Sequence, residues 1–273
     1  MKKFEGMLIC TDLDGTLLRS DKSISQNTLD TIEYFKSEGG YFTFVTGRMP
    51  FYAKDMYEMV NPNCPFGCVN GGGIYDHVKQ EYIWSITLPK SVIELTEYVE
   101  KNLDAIGYQV NTLDKVYFCK QNSATKRFRE LTKVPNLELA VKDIQEPIAK
   151  IIFCDEKEEN IAAVQELLDK HPRADEFDFI RSEKTLYEIL PKGISKATAL
   201  TKLAQFLNID MDKTIAIGDY NNDITMLRTA KLGVAVSNAC ADAKAAADYV
   251  TVSNDEDAVA KIIHELDEGI IKL

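Results

Sequence analysis

The chain has 273 residues, 45% hydrophobic and 27% charged, with 43 Asp and Glu against 32 Lys and Arg for a formal net charge of −11. This balance excludes collagen-like, coiled-coil and broadly disordered chains, supplies a core without staples, and sets an average field that repels a polyanion such as DNA. No apolar stretch approaches the roughly 18–20 residues of a membrane helix, and Met7–Cys10 is too short a run for a secretory leader, so a cytoplasmic protein with no nucleic-acid or membrane partner is expected.

In chain order, the apolar run Met7–Thr11 stops at an acidic, glycine-containing turn and reads as a buried strand. Ser25 then precedes Leu29, Ile32 and Phe35, and Gly39-Gly40 follows, which predicts a capped amphipathic helix with a glycine terminator. Tyr41–Val45 is a second strand; after Thr46-Gly47-Arg48, Pro50 suits the first turn of another helix. Phe66–Val69 adds a short strand that ends in Asn70-Gly71-Gly72-Gly73. Strand, helix, strand, helix in succession predicts parallel strands joined by right-handed crossovers.

The middle has another texture. Val92, Leu95, Val99 and Leu103 mark one helix and Ile161, Val164, Leu167 and Leu168 a second, among the strand-like runs Tyr108–Asn111, Val116–Lys120, Ala149–Cys154 and Phe177–Ile180. The earlier alternation resumes with a helix over Ser195–Leu207, a strand over Lys213–Ile217, strands over Leu232–Val236 and Tyr249–Val252, and an alanine-rich helix, Asn238–Ala247, between the last two. Residues 1–84 and 187–273 therefore read as one α/β domain, a Rossmann-like doubly wound parallel sheet in two pieces, with residues 85–186 inserted as a smaller α/β cap.

The cysteines, at 10, 64, 68, 119, 154 and 240, are scattered, and the close pair Cys64/Cys68 has no His nearby to complete a zinc set; reduced, mostly buried thiols are expected. None of His77, His171 and His264 stands in a catalytic-looking context.

Carboxylates carry the stronger signals. Asp12-Leu13-Asp14-Gly15-Thr16 follows the first strand directly, so both carboxylates leave at the carboxyl edge of the sheet, where open α/β folds bind ligands. Gly218-Asp219-Tyr220-Asn221-Asn222-Asp223 also follows a strand, and parallel topology puts it on that same edge. Converging carboxylates without His or paired Cys fit Mg²⁺. Thr46-Gly47-Arg48 offers a hydroxyl, backbone N–H groups and a positive helix end, an anion seat. Lys196 lies in a helix first turn, against the dipole. Each segment alone has a plain structural reading: an acidic turn, a helix cap, a capped turn, a solvated lysine. Together they describe phosphoryl transfer, with attack by a carboxylate, neutralisation by a metal, and a second carboxyl moving protons.

The order D-x-D-G-T, apolar-T-G-R, a helix-borne lysine and G-D-x-x-N-D resembles the haloacid dehalogenase superfamily, and the whole chain is similar to its Cof-like phosphatases, which carry a large α/β cap between the second and third motifs. The resemblance implies that Asp12 is the nucleophile and a Mg²⁺ ligand. It implies that Asp14 is the general acid/base with its main-chain oxygen on the metal, that Asp219 completes the metal site, and that Asp223 orders a metal-bound water. Leu13 (through its backbone), Thr46, Gly47, Lys196 and Asn222 are implied to hold the phosphate. Asn70-Gly71 also looks like a feature of the branch. The chain departs from the pattern at Ala197, where glycine commonly follows the lysine, and at Gly72, where alanine is usual.

The expected activity is Mg²⁺-dependent hydrolysis of small phosphorylated metabolites, sugar phosphates first, through an aspartyl-phosphate, by a monomer or weak homo-oligomer. Pyridoxal phosphate and flavin mononucleotide are further substrates the resemblance allows. Polar cap residues that could choose among them are Asp114, Lys115, Tyr117, Arg127, Arg129 and Arg181. A phosphomutase would share the core motifs, a phospho-receiver would store the phosphate on Asp12, and a metabolite-binding protein would bind without turnover.

Overall fold

A computed structural model describes residues 2–273, which form two compact units. The first comprises the chain up to Arg48, Lys54–Ser85 and Ser195–Leu273; the second comprises Met49–Ala53 and Ile86–Ile194.

The first unit opens with β1 (Leu8–Thr11), buried along its whole length as a central parallel strand must be. In α1 (Gln26–Ser37) the Ser25 hydroxyl accepts the N–H of Thr28, capping the helix, while Ile32 and Phe35 face inward. β2 (Tyr41–Phe44) pairs parallel to β1. Pro50 starts a single 3₁₀ turn, Pro50–Tyr52, ahead of α2 (Lys54–Val60), in place of one continuous helix. β3 (Phe66–Cys68) was expected within the alternating pattern. It touches β2's continuation only at the Val45–Gly67 bridge and otherwise pairs antiparallel with β4 (Gly73–Asp76), itself paired with β5 (Glu81–Ser85). The glycine run at 71–73 turns the chain straight back, so a meander forms where a crossover helix would have been needed for a parallel strand.

The second unit contains α3 (Val92–Asn102), β6 (Gly107–Thr112), β7 (Val116–Lys120), α4 (Ser123–Thr132), β8 (Ile148–Cys154), α5 (Glu158–Asp169), β9 (Phe177–Glu183) and β10 (Leu186–Pro191). Its strands form an antiparallel sheet in the order β7-β6-β8-β10-β9. Val92, Leu95 and Val99 of α3 and Ile161, Val164 and Leu168 of α5 pack on one face in a single apolar cluster. The boundary expected at residue 187 falls inside β10. That strand belongs to the inserted unit because it is hydrogen-bonded to both β8 and β9, and the division lies at Ile194/Ser195.

The chain returns to the first unit with α6 (Lys196–Leu207), β11 (Thr214–Gly218), α7 (Ile224–Thr229), β12 (Leu232–Ala235), α8 (Ala241–Ala246), β13 (Tyr249–Val250) and α9 (Ala258–Asp267). The alanine-rich helix is shorter than its composition suggests, because Val236–Ala239 is used in backbone bonds that tie the loop to Gly218 and Val252. The five-stranded sheet is parallel throughout, in the order β13-β12-β11-β1-β2. From β1 the chain steps one way to β2, while β11, β12 and β13 step the other way. Right-handed crossovers then put the connecting helices on opposite faces, and the direction reverses between β1 and β11. The loops leaving those two strands begin with Asp12 and Asp219. No helix among the described residues is long and apolar enough to cross a membrane.

Candidate active site

Three of the acidic residues meet at the switch point. Asp12, Asp219 and Asp223 each offer a carboxylate oxygen, all within 4.8 Å of one another. Asp12 is fixed by its N–H, which donates to the Ile217 carbonyl at 2.8 Å and extends the β1–β11 ladder by one bond. Gly15, with φ +86°, takes the left-handed turn that follows, and a Cβ there would lie 2.7 Å from Asp219 Oδ2. Thr16, the last residue of the D-x-D-G-T motif, donates its hydroxyl to Asp219 Oδ1 at 2.8 Å.

Lys196 is fully buried at the start of α6, where its Nζ donates to Asp12 Oδ1 at 2.5 Å and to Asp223 Oδ1 at 2.6 Å. A first-turn lysine opposed by the helix dipole is thus held by two carboxylates. The other Asp223 oxygen, Oδ2, accepts the N–H groups of Asp219 and Tyr220, both at 3.0 Å, which locks the loop after β11. Gly218 permits this, since a Cβ there would lie 2.5 Å from the Asp223 Cβ.

Burial raises the Asp12 carboxyl well above its ordinary value; Lys196 acts against that rise, and the Asp223 and Asp219 carboxylates add to it. Burial, then Asp223, push Asp219 up to about 6. Burial alone would lower the Lys196 ammonium, but Asp12 and Asp223 outweigh it and keep it charged. Carboxylates crowded in this way favour an added cation, and a donor set made only of hard oxygens, with no His or Cys, fits Mg²⁺.

Asp14 is not part of that cluster. Its carboxylate faces Arg48, which donates Nη2–H to Oδ1 at 2.8 Å and Nε–H to Oδ2 at 3.0 Å, and Lys22, whose Nζ donates to Oδ1 at 3.0 Å. Burial works to raise this carboxyl, yet Arg48 and Lys22 together hold it below the ordinary carboxylate range. Leu13 is fully buried, and its carbonyl accepts the Leu18 N–H at 2.8 Å, so the turn that follows Asp12 is closed on itself.

The third wall comes from the end of β2. Thr46 is buried, its Oγ1 accepting the Arg48 N–H at 3.2 Å. Val69, Asn70 and Gly71 stand consecutively at φ 56°, 52° and 99°, an unusual run that includes a β-branched residue. Bonds from Val69 N–H to the Arg48 carbonyl (3.1 Å) and from Asn70 N–H to the Thr46 carbonyl (3.0 Å) hold it. Asn70 is thereby aimed at Asn222, whose Nδ2 donates to Asn70 Oδ1 at 3.2 Å, and a Cβ on Gly47 would lie 3.0 Å from that same oxygen. The Thr46, Gly47 and Asn222 positions therefore share one cluster through Asn70.

The polar residues of the second unit considered for specificity have partners there. Lys115 and Tyr117 both bind Glu146, Arg127 binds Glu156, Arg129 donates to the Gln121 side chain, and Arg181 donates to the Lys184 carbonyl. Asp114 accepts from the Thr112 hydroxyl. Arg48 closes the apolar-T-G-R motif, which assigns it no role of its own, and nothing in the sequence pointed to Lys22.

A family model described as haloacid dehalogenase-like hydrolase matches residues 9–263. A Bacillus subtilis protein named 5-amino-6-(5-phospho-D-ribitylamino)uracil phosphatase YitU is 30% identical over 269 residues, covering 94% of this chain and 96% of the relative. YcsE, which carries the same activity name in that organism, is 28% identical over 262 residues, 94% of each chain. A crystal structure of a haloacid dehalogenase-like hydrolase from Bacteroides thetaiotaomicron superposes with a TM-score of 0.83 at 27% identity, over 95% of this chain and 99% of that one.

Proposed function

The chain belongs to the haloacid dehalogenase-like hydrolases and is a phosphatase; from there we propose that it hydrolyses small phosphorylated metabolites, sugar or sugar-alcohol phosphates, through an aspartyl-phosphate on Asp12. The observation that carries this reading is the buried Asp12 carboxylate, held by the Lys196 ammonium at 2.5 Å among two further carboxylates at the switch point of a parallel sheet. The ribityl phosphate in the names of two relatives supports a hydroxyl-rich substrate.

Asp12, Asp219, Asp223 and the main-chain oxygen of Asp14 would hold Mg²⁺, which when bound neutralises charge on the phosphoryl oxygens. In the first half-reaction an Asp12 carboxylate oxygen attacks phosphorus and the P–O bond to the organic group breaks. The leaving oxygen takes a proton from Asp14, while Lys196 orients Asp12 and works against the rise of its carboxyl. Thr46, Gly47, Asn222 and the Leu13 backbone bind phosphoryl oxygens. In the second half-reaction Asp14 accepts a proton from water, which attacks phosphorus and releases inorganic phosphate and the free Asp12 carboxylate. Arg48 and Lys22 orient Asp14 and favour its ionised form, suited to that second step. The protein acts in the cytoplasm, as a monomer or weak homo-oligomer.

The test is phosphate release from sugar phosphates, pyridoxal phosphate and flavin mononucleotide, with and without Mg²⁺, alongside Asp12→Asn. The variant is isosteric and should keep the fold while its turnover drops to about a thousandth of wild type or less. Near-normal turnover removes Asp12 from its role, and phosphoryl transfer between sugar positions with little free phosphate points to a mutase.

A further inference from the structure

The turn that carries Asp14 is loosely held by its own backbone. Past Asp12, the N–H groups of Thr16 and Leu17 reach the Leu13 and Asp12 carbonyls at 3.4 and 3.3 Å, beyond the usual span of a backbone bond, and only the Leu18 bond to Leu13, at 2.8 Å, is short. Gly15, at φ +86°, brings no side chain that could lock the turn. Further ties reach it from the loops after β12 and β13.

Asn238, just past β12, donates from Nδ2 to the Gly15 carbonyl at 2.8 Å, and its Oδ1 accepts the Asn254 N–H at 3.0 Å. A flipped amide would set oxygen against oxygen and N–H against N–H, so the two bonds fix which end is which. Asn254, just past β13 and 7% exposed, donates from its own Nδ2 to the Leu18 carbonyl at 2.9 Å. Beyond the turn, Asp255 accepts the N–H and the hydroxyl of Ser20, and Asp257 accepts from the Arg19 guanidinium. The Gly15–Thr16 peptide is thus held from two sides, by the Asn238 amide on its carbonyl and by Asp219 on the Thr16 hydroxyl. Asn238 is exposed, so water can take its place on the Gly15 carbonyl. Water would restore the hydrogen bond but not the position, because it has no attachment to Asn254.

We propose that Asn238 is a positioning residue for the reaction: through the Gly15 carbonyl it sets where Asp14 stands relative to Asp12, and Asn254 in turn sets where Asn238 stands. The inference rests on the phosphatase reading above. Asp14 has to meet the leaving oxygen in one half-reaction and water in the other, and a misplacement of about 1 Å near reacting groups costs on the order of a hundredfold in rate. Asn238 bonds to main-chain atoms of Gly15 and Asn254 and not to a carboxylate of the site. Its loss therefore acts on kcat and leaves KM alone, as expected of an interaction that matters only in the transition state.

Asn238→Leu removes the amide at similar volume, and Asn238→Asp keeps the acceptor for Asn254 while turning an oxygen toward the Gly15 carbonyl. Asn238→Ala stands in should the leucine variant fail to fold by circular dichroism. Each is assayed in the full chain with Mg²⁺ and ribitol 5-phosphate, glucose 6-phosphate or phenyl phosphate, and Tm and amide hydrogen exchange over residues 13–18 are measured alongside. The expected result is a fall in kcat of about tenfold or more for every ester hydrolysed, KM within about twofold and Tm within about 3 °C of wild type, and faster exchange over residues 13–18. A kcat within about twofold of wild type overturns the proposal, as does a rise in KM at unchanged kcat, which would make Asn238 a substrate contact. A fall in kcat matched by a fall in Tm, with exchange of the turn no faster, marks a merely structural role and overturns it as well. Wild-type protein that hydrolyses no ester removes the phosphatase reading itself. Faster exchange in the variants would then leave a tether without a part in catalysis, and unchanged exchange would leave no tether.

Discussion

Gly71→Ala tests whether the left-handed segment at 69–71 sets the position of Lys196. Gly71 has φ +99°, and a Cβ there would lie 1.8 Å from the Ser195 carbonyl oxygen and 3.1 Å from the Lys196 backbone nitrogen. The left-handed conformation alone costs an alanine about 1–2 kcal/mol. Gly269→Ala supplies the control, because at φ +71° with nothing within 4 Å it carries that cost and no collision. At Gly71 one backbone must also retreat by more than an ångström, since real Cβ contacts essentially never fall under 3.0 Å. Overpacking of this kind adds about 1–3 kcal/mol. The sum, about 2–5 kcal/mol, is a large part of the ~5–15 kcal/mol that holds a typical domain together. Trp84 is the chain's only tryptophan, lies on β5 in the same unit, and has Lys202 of α6 4.5 Å from its ring centroid, so its fluorescence in urea reports this unit. Gly71→Ala should lose about 1–3 kcal/mol more than Gly269→Ala. Its folded fraction should also turn over about a hundredfold more slowly, the usual effect of a 1 Å misplacement near reacting groups. Equal stability losses in the two variants, or full turnover in Gly71→Ala, would refute the reasoning.

Arg48→Gln frees Asp14 from the guanidinium that helps hold its carboxyl down, so its kinetic pKa should rise. Because Asp14 must carry its proton in the first half-reaction, which kcat/KM reports, the alkaline limb of that profile should move upward; an unmoved limb would separate Arg48 from Asp14. Rigorous chelation with EDTA should silence the wild type and added Mg²⁺ restore it, and activity that survives chelation counts against the Asp12, Asp219 and Asp223 cluster as a metal site. In the second unit, Lys150 and Glu188 are 2% and 3% exposed and joined at 2.8 Å. Lys150→Met leaves Glu188 buried beside an apolar side chain and should cost about 3–5 kcal/mol, whereas Lys150→Met with Glu188→Leu should fall close to wild type in urea titrations. Equal losses in the single and double variants would mean that the pair is not the source of the cost.

The parallel α/β core was legible because its cues are local: short, mostly apolar strands, the Ser25 cap and the glycine stops all act within a few residues. The β3–β4–β5 meander was not, since a short apolar run such as Phe66–Cys68 carries no mark of the partner it will pair with. The boundary near 187 was misplaced for the same reason, as only the bonds of β10 to β8 and β9 assign it to the inserted unit.

For the site, sequence order and the switch-point rule were enough to bring the loops after β1 and β11 to one edge of the sheet, because parallel strands all end on the same side. What the sequence could not decide was where each charge turns. Lys196 goes inward between Asp12 and Asp223, and Asp14 turns away from both to Arg48 and Lys22. Those choices depend on burial and on partners as many as 184 residues apart in the chain. Asn238 makes the same point: an asparagine is ordinary in a surface loop, and only the tertiary fold brings its amide to the Gly15 carbonyl, 223 residues away in the chain.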